Sequence, residues 1–105
     1  MSDSRIPIHK SSVFQKGDKV AFREVDGEVL IVPIRFSTTD ITGVYRLNRT
    51  ASLIWKLFDG HRQLSEIVEE VAERFDVTSE EADGDLRELV ADLLSFDALV
   101  EVAGK

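Results

Sequence analysis

The chain has 105 residues, is 43% hydrophobic and 31% charged, and carries a net charge of −7 with no cysteine. That profile fits one soluble globular domain and excludes a disulfide framework, a thiolate zinc site and a thiol nucleophile. The N-terminus leads into no signal-like apolar run and no stretch is long enough to span a bilayer, so a cytoplasmic location and no membrane partner are expected.

The charge is uneven. Residues 1–50 hold 8 Lys and Arg against 6 Asp and Glu, a net of +2, whereas residues 51–105 hold 5 against 14, a net of −9. An acidic half repels a phosphate backbone and favours a neutral or basic partner.

Residues 1–17 show no period and read as a flexible N-terminal arm, with Val13 and Phe14 its only ordering candidates. Asp18 to Val25 alternates, with Val20, Phe22 and Val25 apolar. Asp26-Gly27 is a two-residue turn signal, and Glu28 to Ile34 is a nearly continuous apolar run. A half-buried hairpin accounts for all three. Pro33 has no amide hydrogen and belongs at a strand end or edge. Arg35 to Thr42 is polar and reads as a loop. Gly43 to Leu47 is the third strand.

A helix follows directly, at about residues 49–58. Asn48 is placed to cap it, Ala51, Ile54, Trp55 and Phe58 recur on one face, and Gly60 is the glycine past its end. A second helix begins near Gln63, with Leu64, Ile67, Val68, Val71, Ala72 and Phe75 on one side and Glu66, Glu69, Glu70 and Glu73 opposite. Thr78-Ser79-Glu80-Glu81 is a capping box that opens a third helix reaching to about Phe96. Its apolar arc is Ala82, Leu86, Leu89, Val90, Leu93 and Leu94, and Gly84 falls on its exposed side. Leu99 to Val102 forms a short closing strand, and residues 103–105 are a tail. The fold class expected is α+β: a winged helix-turn-helix over residues 18–102, with an N-terminal three-stranded antiparallel sheet, three helices and a short C-terminal strand.

Catalytic signatures are missing. His9 and His61 have no partner at metal-ligand spacing, the six glycines are scattered singly, and there is no nucleophile elbow. No metal, cofactor or catalytic residue is expected. Trp55, Phe58, Phe75 and Phe96 read as core. Asp85, Glu88 and Asp92 share one flank of the third helix, bordering Leu89 and Phe96, and give that helix a mixed apolar and acidic edge. From Ser79 to Asp97 there are seven acids and one base, Arg87; a recognition helix for DNA needs the reverse.

The run Tyr45-Arg46-Leu47-Asn48, Ala51, Ile54-Trp55 and Phe58-Asp59-Gly60, followed by Leu64-Ser65-Glu66-Ile67, resembles the signature of the PqqD-like family. That family comprises coenzyme PQQ synthesis protein D and related recognition elements for ribosomally made, post-translationally modified peptides. The resemblance covers roughly residues 19–102. It implies a domain without catalysis of its own. Such a domain binds the leader of a precursor peptide and presents it to a modifying enzyme, such as a radical SAM protein. In that mode the leader adds a strand to the third strand and packs on the third helix. Carried onto this chain, the peptide-binding residues are Gly43, Val44, Tyr45, Arg46, Leu47, Asp85, Glu88, Leu89, Asp92 and Phe96. A sheet edge supplies main-chain donors and acceptors in register, and Asp85 with Asp92 is a candidate seat for a leader Lys or Arg. The chain is expected to be a monomer or weak homodimer. The competing readings are a winged-helix regulatory or scaffolding protein acting through protein contacts and, further off, a DNA-binding protein.

Overall fold

The computed structural model describes residues 8–34 and 44–102. The expected loop at 35–42, Gly43 and the tail at 103–105 lie outside the described residues. The observed class is α+β: three helices with two antiparallel sheets.

Three strands form the larger sheet, in the order β2 (Val20–Val25), β3 (Glu28–Pro33), β4 (Tyr45–Leu47). The β2–β3 turn works because Asp26 (φ 55°) and Gly27 (φ 83°) both take left-handed backbone, which matches the twist of a two-residue hairpin. Val29 and Ile31 of the central strand are buried. The expectation of a half-buried hairpin fails on β2, where only Val20 is buried. Phe22 is 49% exposed and Val25 lies open on the opposite face. Alternation shows which side chains share a face, but not whether another layer covers it.

The expectation of a loose arm over 1–17 is corrected for its second half. Phe14–Lys16 is a strand, β1, paired antiparallel with β5 (Leu99–Glu101) at the far end of the chain. Phe14 is 1% exposed and meets Phe58 edge to face, with ring centroids 6.2 Å apart. The segment before it is tied to the helices: Leu64 N–H donates to the Ser12 carbonyl (2.8 Å) and Ser65 N–H to that of Lys10 (2.9 Å). Three residues with one large apolar side chain carry no readable period, and their partner is remote in sequence. The folded unit therefore starts before Asp18.

α1 runs Arg49–Trp55, and the Asn48 side chain accepts from Ala51 N–H at 2.8 Å. It ends three residues before the expected Phe58. There the backbone tightens: Leu57 N–H donates to Ile54 and Phe58 N–H to Trp55, a 3₁₀-like close. Gly60 (φ 83°) lies beyond that turn, where its N–H reaches the Phe14 carbonyl at 2.9 Å. It serves the approach to β1 and does not cap α1. α2 (Leu64–Phe75) starts with a capping box between Gln63 and Glu66 and stops at Asp76 in left-handed backbone (φ 58°). α3 (Ser79–Ser95) has the expected Thr78–Glu81 capping box. Trp55, Phe58, Leu64, Ile67, Leu86, Leu93 and Leu99 fill the centre between helices and sheet. Phe75 and Phe96, read as core, pack against it only half-buried.

One buried hydroxyl joins sheet and helices. Ser52 Oγ on α1 accepts from Val29 N–H (2.8 Å) and donates to the Leu47 carbonyl (3.1 Å). Val29 and Leu47 are register partners, so the side chain bridges two groups that would otherwise face each other. Ser52→Ala leaves both buried and unpaired, an expected loss of about 1–3 kcal/mol in a urea unfolding midpoint.

Two glycines give an opposed pair of expectations. A Cβ on Gly17 would sit 2.0 Å from the Asp97 carbonyl oxygen, whereas one on Gly84 would meet nothing within 4 Å. Gly17→Ala should lower the thermal midpoint. Gly84→Ala should raise stability by about 1 kcal/mol, the helix-interior difference between the two residues.

Candidate functional site

β4 is an outer strand. In the two-residue hairpin Val25 and Glu28 exchange hydrogen bonds, so by alternation Val29 and Ile31 turn their main-chain groups toward β4. Their partners Leu47 and Tyr45 face back. Arg46, between them, turns its N–H and C=O outward, and among the described residues no strand pairs with that side. Side chains follow the other alternation. Leu47 is buried and Tyr45 half-buried toward the helices, while Arg46 and Val44 (55% exposed) point away from the core. Arg46 makes an open ion pair with Glu28 at 3.7 Å, of little energetic weight.

α3 forms the facing wall. Asp85, Leu89, Asp92 and Phe96 follow one another at intervals of four, three and four residues, a single stripe on a helix. The structure divides that stripe in two. At the C-terminal end Tyr45 Oη lies 3.4 Å from Asp92 Oδ2, a long contact for two oxygens. The Tyr45 and Phe96 rings are tilted at 45° with centroids 5.1 Å apart. At the other end, Asp85 and Leu89 border a pocket of about 310 Å³ between the start of α1, the end of α2 and α3. Ile54, Val71, Phe75 and Leu86 give it an apolar floor, and Asn48 and Asp85 stand at its rim. Glu88 is exposed on the flank between the two ends.

Asp85 and Asp92 are seven residues apart, about 10 Å along the axis. One ammonium or guanidinium cannot be gripped by both, so the two acids form two separate anionic points. The helical period of Ala51, Ile54, Val71 and Phe75 turns them inward, and the structure gives them a share in the pocket as well. The period says which face turns inward but not that the facing helices diverge there. Arg87, the single base of α3, is committed internally: it pairs with Asp83 at 2.9 Å and donates to the Ile8 carbonyl. Among the described residues no group of His, Asp and Glu could hold a metal ion, and no helix is long and apolar enough to cross a membrane.

An α+β domain with an open strand edge beside a grooved helix is the class of protein these elements define. The chain belongs to the PqqD family. The model of Coenzyme PQQ synthesis protein D (PqqD) matches residues 29–96, more than half of the chain and the whole span from β3 to α3. A solved structure of TbiB1 in complex with the TbiA(beta) leader peptide is similar in fold. Its TM-score is 0.69 at 23% sequence identity, over 86% of this chain and 99% of that one. No curated protein matches the chain.

Tyr45, the chain's single tyrosine, reports on the narrow end of the groove. Burial, the charge of Asp92 and the bond to its carboxylate all push the phenol above its ordinary range. In the unfolded chain it ionises first, at about pH 10. The stability tied to the neutral phenol is therefore intact below that pH and is lost as pH rises toward the folded-state value. An absorbance titration at the tyrosinate band should show a midpoint above that of free tyrosine. Asp92→Asn should move the midpoint back toward it, with burial still holding part of the shift.

Proposed function

We propose that this chain is a non-catalytic peptide-binding domain that captures the leader of a ribosomal precursor peptide and presents it to a modifying enzyme, such as a radical SAM protein. The observation that carries the reading is the outward edge of β4 lying beside the α3 stripe. Membership of the PqqD family supports it, and so does the fold shared with TbiB1, which was solved with a leader peptide. The winged helix-turn-helix description of hairpin and helices belongs to this reading.

Strand addition alone is a small source of affinity here. β4 has three residues, and by alternation Arg46 is the one among them that turns both main-chain groups outward. Most binding energy then has to come from side chains. An apolar leader residue would enter the pocket floored by Ile54, Phe75 and Leu86, where full burial of a Leu or Phe is worth about 1.5–3 kcal/mol. A second would lie on the Tyr45–Phe96 pair. Asp85 and Asp92 each offer a carboxylate to a separate leader cation. The same acids disfavour nucleic acid, and the one base of α3 is already paired.

The test is an NMR titration of the ¹⁵N-labelled chain with the leader of a short precursor peptide encoded beside it. Amide shifts should concentrate at Val44–Leu47 and along Asp85–Phe96. Shifts confined to residues 8–16, or none, would count against the proposal. Asp92→Lys should weaken leader binding about two- to tenfold, the scale of exposed ion pairs, with the thermal midpoint unchanged. Unaltered affinity would remove Asp92 from the contact.

A further inference from the structure

The sheet has a second outer strand, and two lysines, Lys16 and Lys56, stand beside it. Lys19, Ala21, Arg23 and Val25 turn their main-chain groups to β3, as the bond from Ile34 N–H to the Lys19 carbonyl at 2.8 Å also indicates. Val20, Phe22 and Glu24 therefore turn theirs outward, and no strand among the described residues pairs with them.

Side chains of the same three residues face α1. Phe22 stands edge to face on Trp55, with centroids 5.2 Å apart, yet stays half exposed. Lys16 Nζ lies 5.2 Å from the Trp55 ring centroid and donates to the Phe58 carbonyl at 3.0 Å, which leaves two of its three hydrogens unassigned. Lys56 pairs with Glu24 at 3.0 Å, both half exposed. These groups line a pocket of about 250 Å³. Trp55 is 1% exposed, and its Nε1–H is the buried side-chain donor for which the described residues supply no acceptor.

We propose that the β2 edge is a second docking site, for an extended acidic segment of a partner protein that adds to β2 and seats a carboxylate between Lys16 and Lys56 over the Trp55–Phe22 pair. The occupant follows from charge and shape. An extended chain satisfies the outward groups of Val20, Phe22 and Glu24, as any free strand edge invites. An aromatic floor with two ammonium groups selects an acid with an apolar neighbour. The segment's carboxylate competes with Glu24 for Lys56 and brings the kind of acceptor that the indole N–H lacks. Asp59 near Lys16 is the opposing charge, and it is already bonded to the N–H groups of His61 and Arg62. The β4 edge, flanked by Asp85 and Asp92, repels the same segment. One small sheet thus sorts two partners by sign.

The probe is a blocked heptapeptide of alternating Val and Glu, with a Val–Lys peptide as control, added to the full chain. Trp55 is the single tryptophan, so its emission reports on the floor of this site, and the β2 amides locate the contact. The acidic peptide should change that emission and move the amides of Val20, Phe22 and Glu24, whereas the Lys peptide should do neither. Lys56→Gln, at an exposed position, should weaken the acidic peptide at least fivefold while circular dichroism and the Tyr45 resonances hold. Lys16→Gln should do the same. Equal responses to both peptides, or shifts at Arg46 and α3 in place of β2, would overturn the proposal. So would sedimentation data in which a second copy of the chain occupies β2. Leader binding at β4 is read from different resonances, so either site can fail without the other.

Discussion

The architecture turns on the Ser52 hydroxyl. It sits at the one place where β3, β4 and α1 converge, and it substitutes for a strand-to-strand hydrogen bond by taking one from Val29 and giving one to Leu47. An all-backbone ladder would let β4 continue beside β3 with no helix near. A side chain from α1 in the ladder fixes the helix to the strand it follows. Asn48 completes the junction by capping α1 one residue after β4 ends. The short connection leaves β4 no freedom to drift, and α3, packed on α2 and β5, meets it at a set distance. A low-dielectric site makes that arrangement costly to break, since each polar atom there has one available partner.

From this junction the two sides of the sheet acquire different characters. On the β4 side, α3 supplies Asp85, Asp92, Leu89 and Phe96. On the β2 side, Lys16 from β1 and Lys56 from the end of α1 approach the same aromatic cluster that anchors the core. The β4 edge is only three residues long, and both edges are bordered by charge, a common way of limiting unwanted pairing.

Much of the fold was legible from local chemistry. The Asp26-Gly27 turn, the Thr78–Glu81 box and the Asn48 cap each involve residues within three of one another, and each formed as expected. The helix periods of α2 and α3 likewise identified Leu64, Ile67, Leu86, Val90 and Leu93 as inward. What escaped was non-local. β1 pairs with β5 across almost the whole chain, and α1 gives up its last turn so that Phe58 can meet Phe14. Alternation places Phe22 on the inner face, yet it is half open because α1 covers it only on one side, through Trp55. Ser52 had no signal at all, since a serine in a helix is ordinary unless a strand amide happens to face it.

For the candidate site, sequence brought β4 and α3 into view but not their geometry. Residue type and period determined that α3 has an acidic and apolar stripe, that β4 leads straight into a capped helix, and that no catalytic chemistry is signalled. These are properties of neighbours along the chain, set by hydrogen-bonding capacity and helical pitch. The tertiary structure alone decided that the stripe is divided, with Asp92 and Phe96 on Tyr45 and with Asp85 and Leu89 on a pocket shared by three helices. It alone decided which strand edges stay open and which charges border them. Those outcomes depend on how far packed elements diverge, a quantity fixed by the summed shapes of side chains distant in sequence, and no local pattern encodes it.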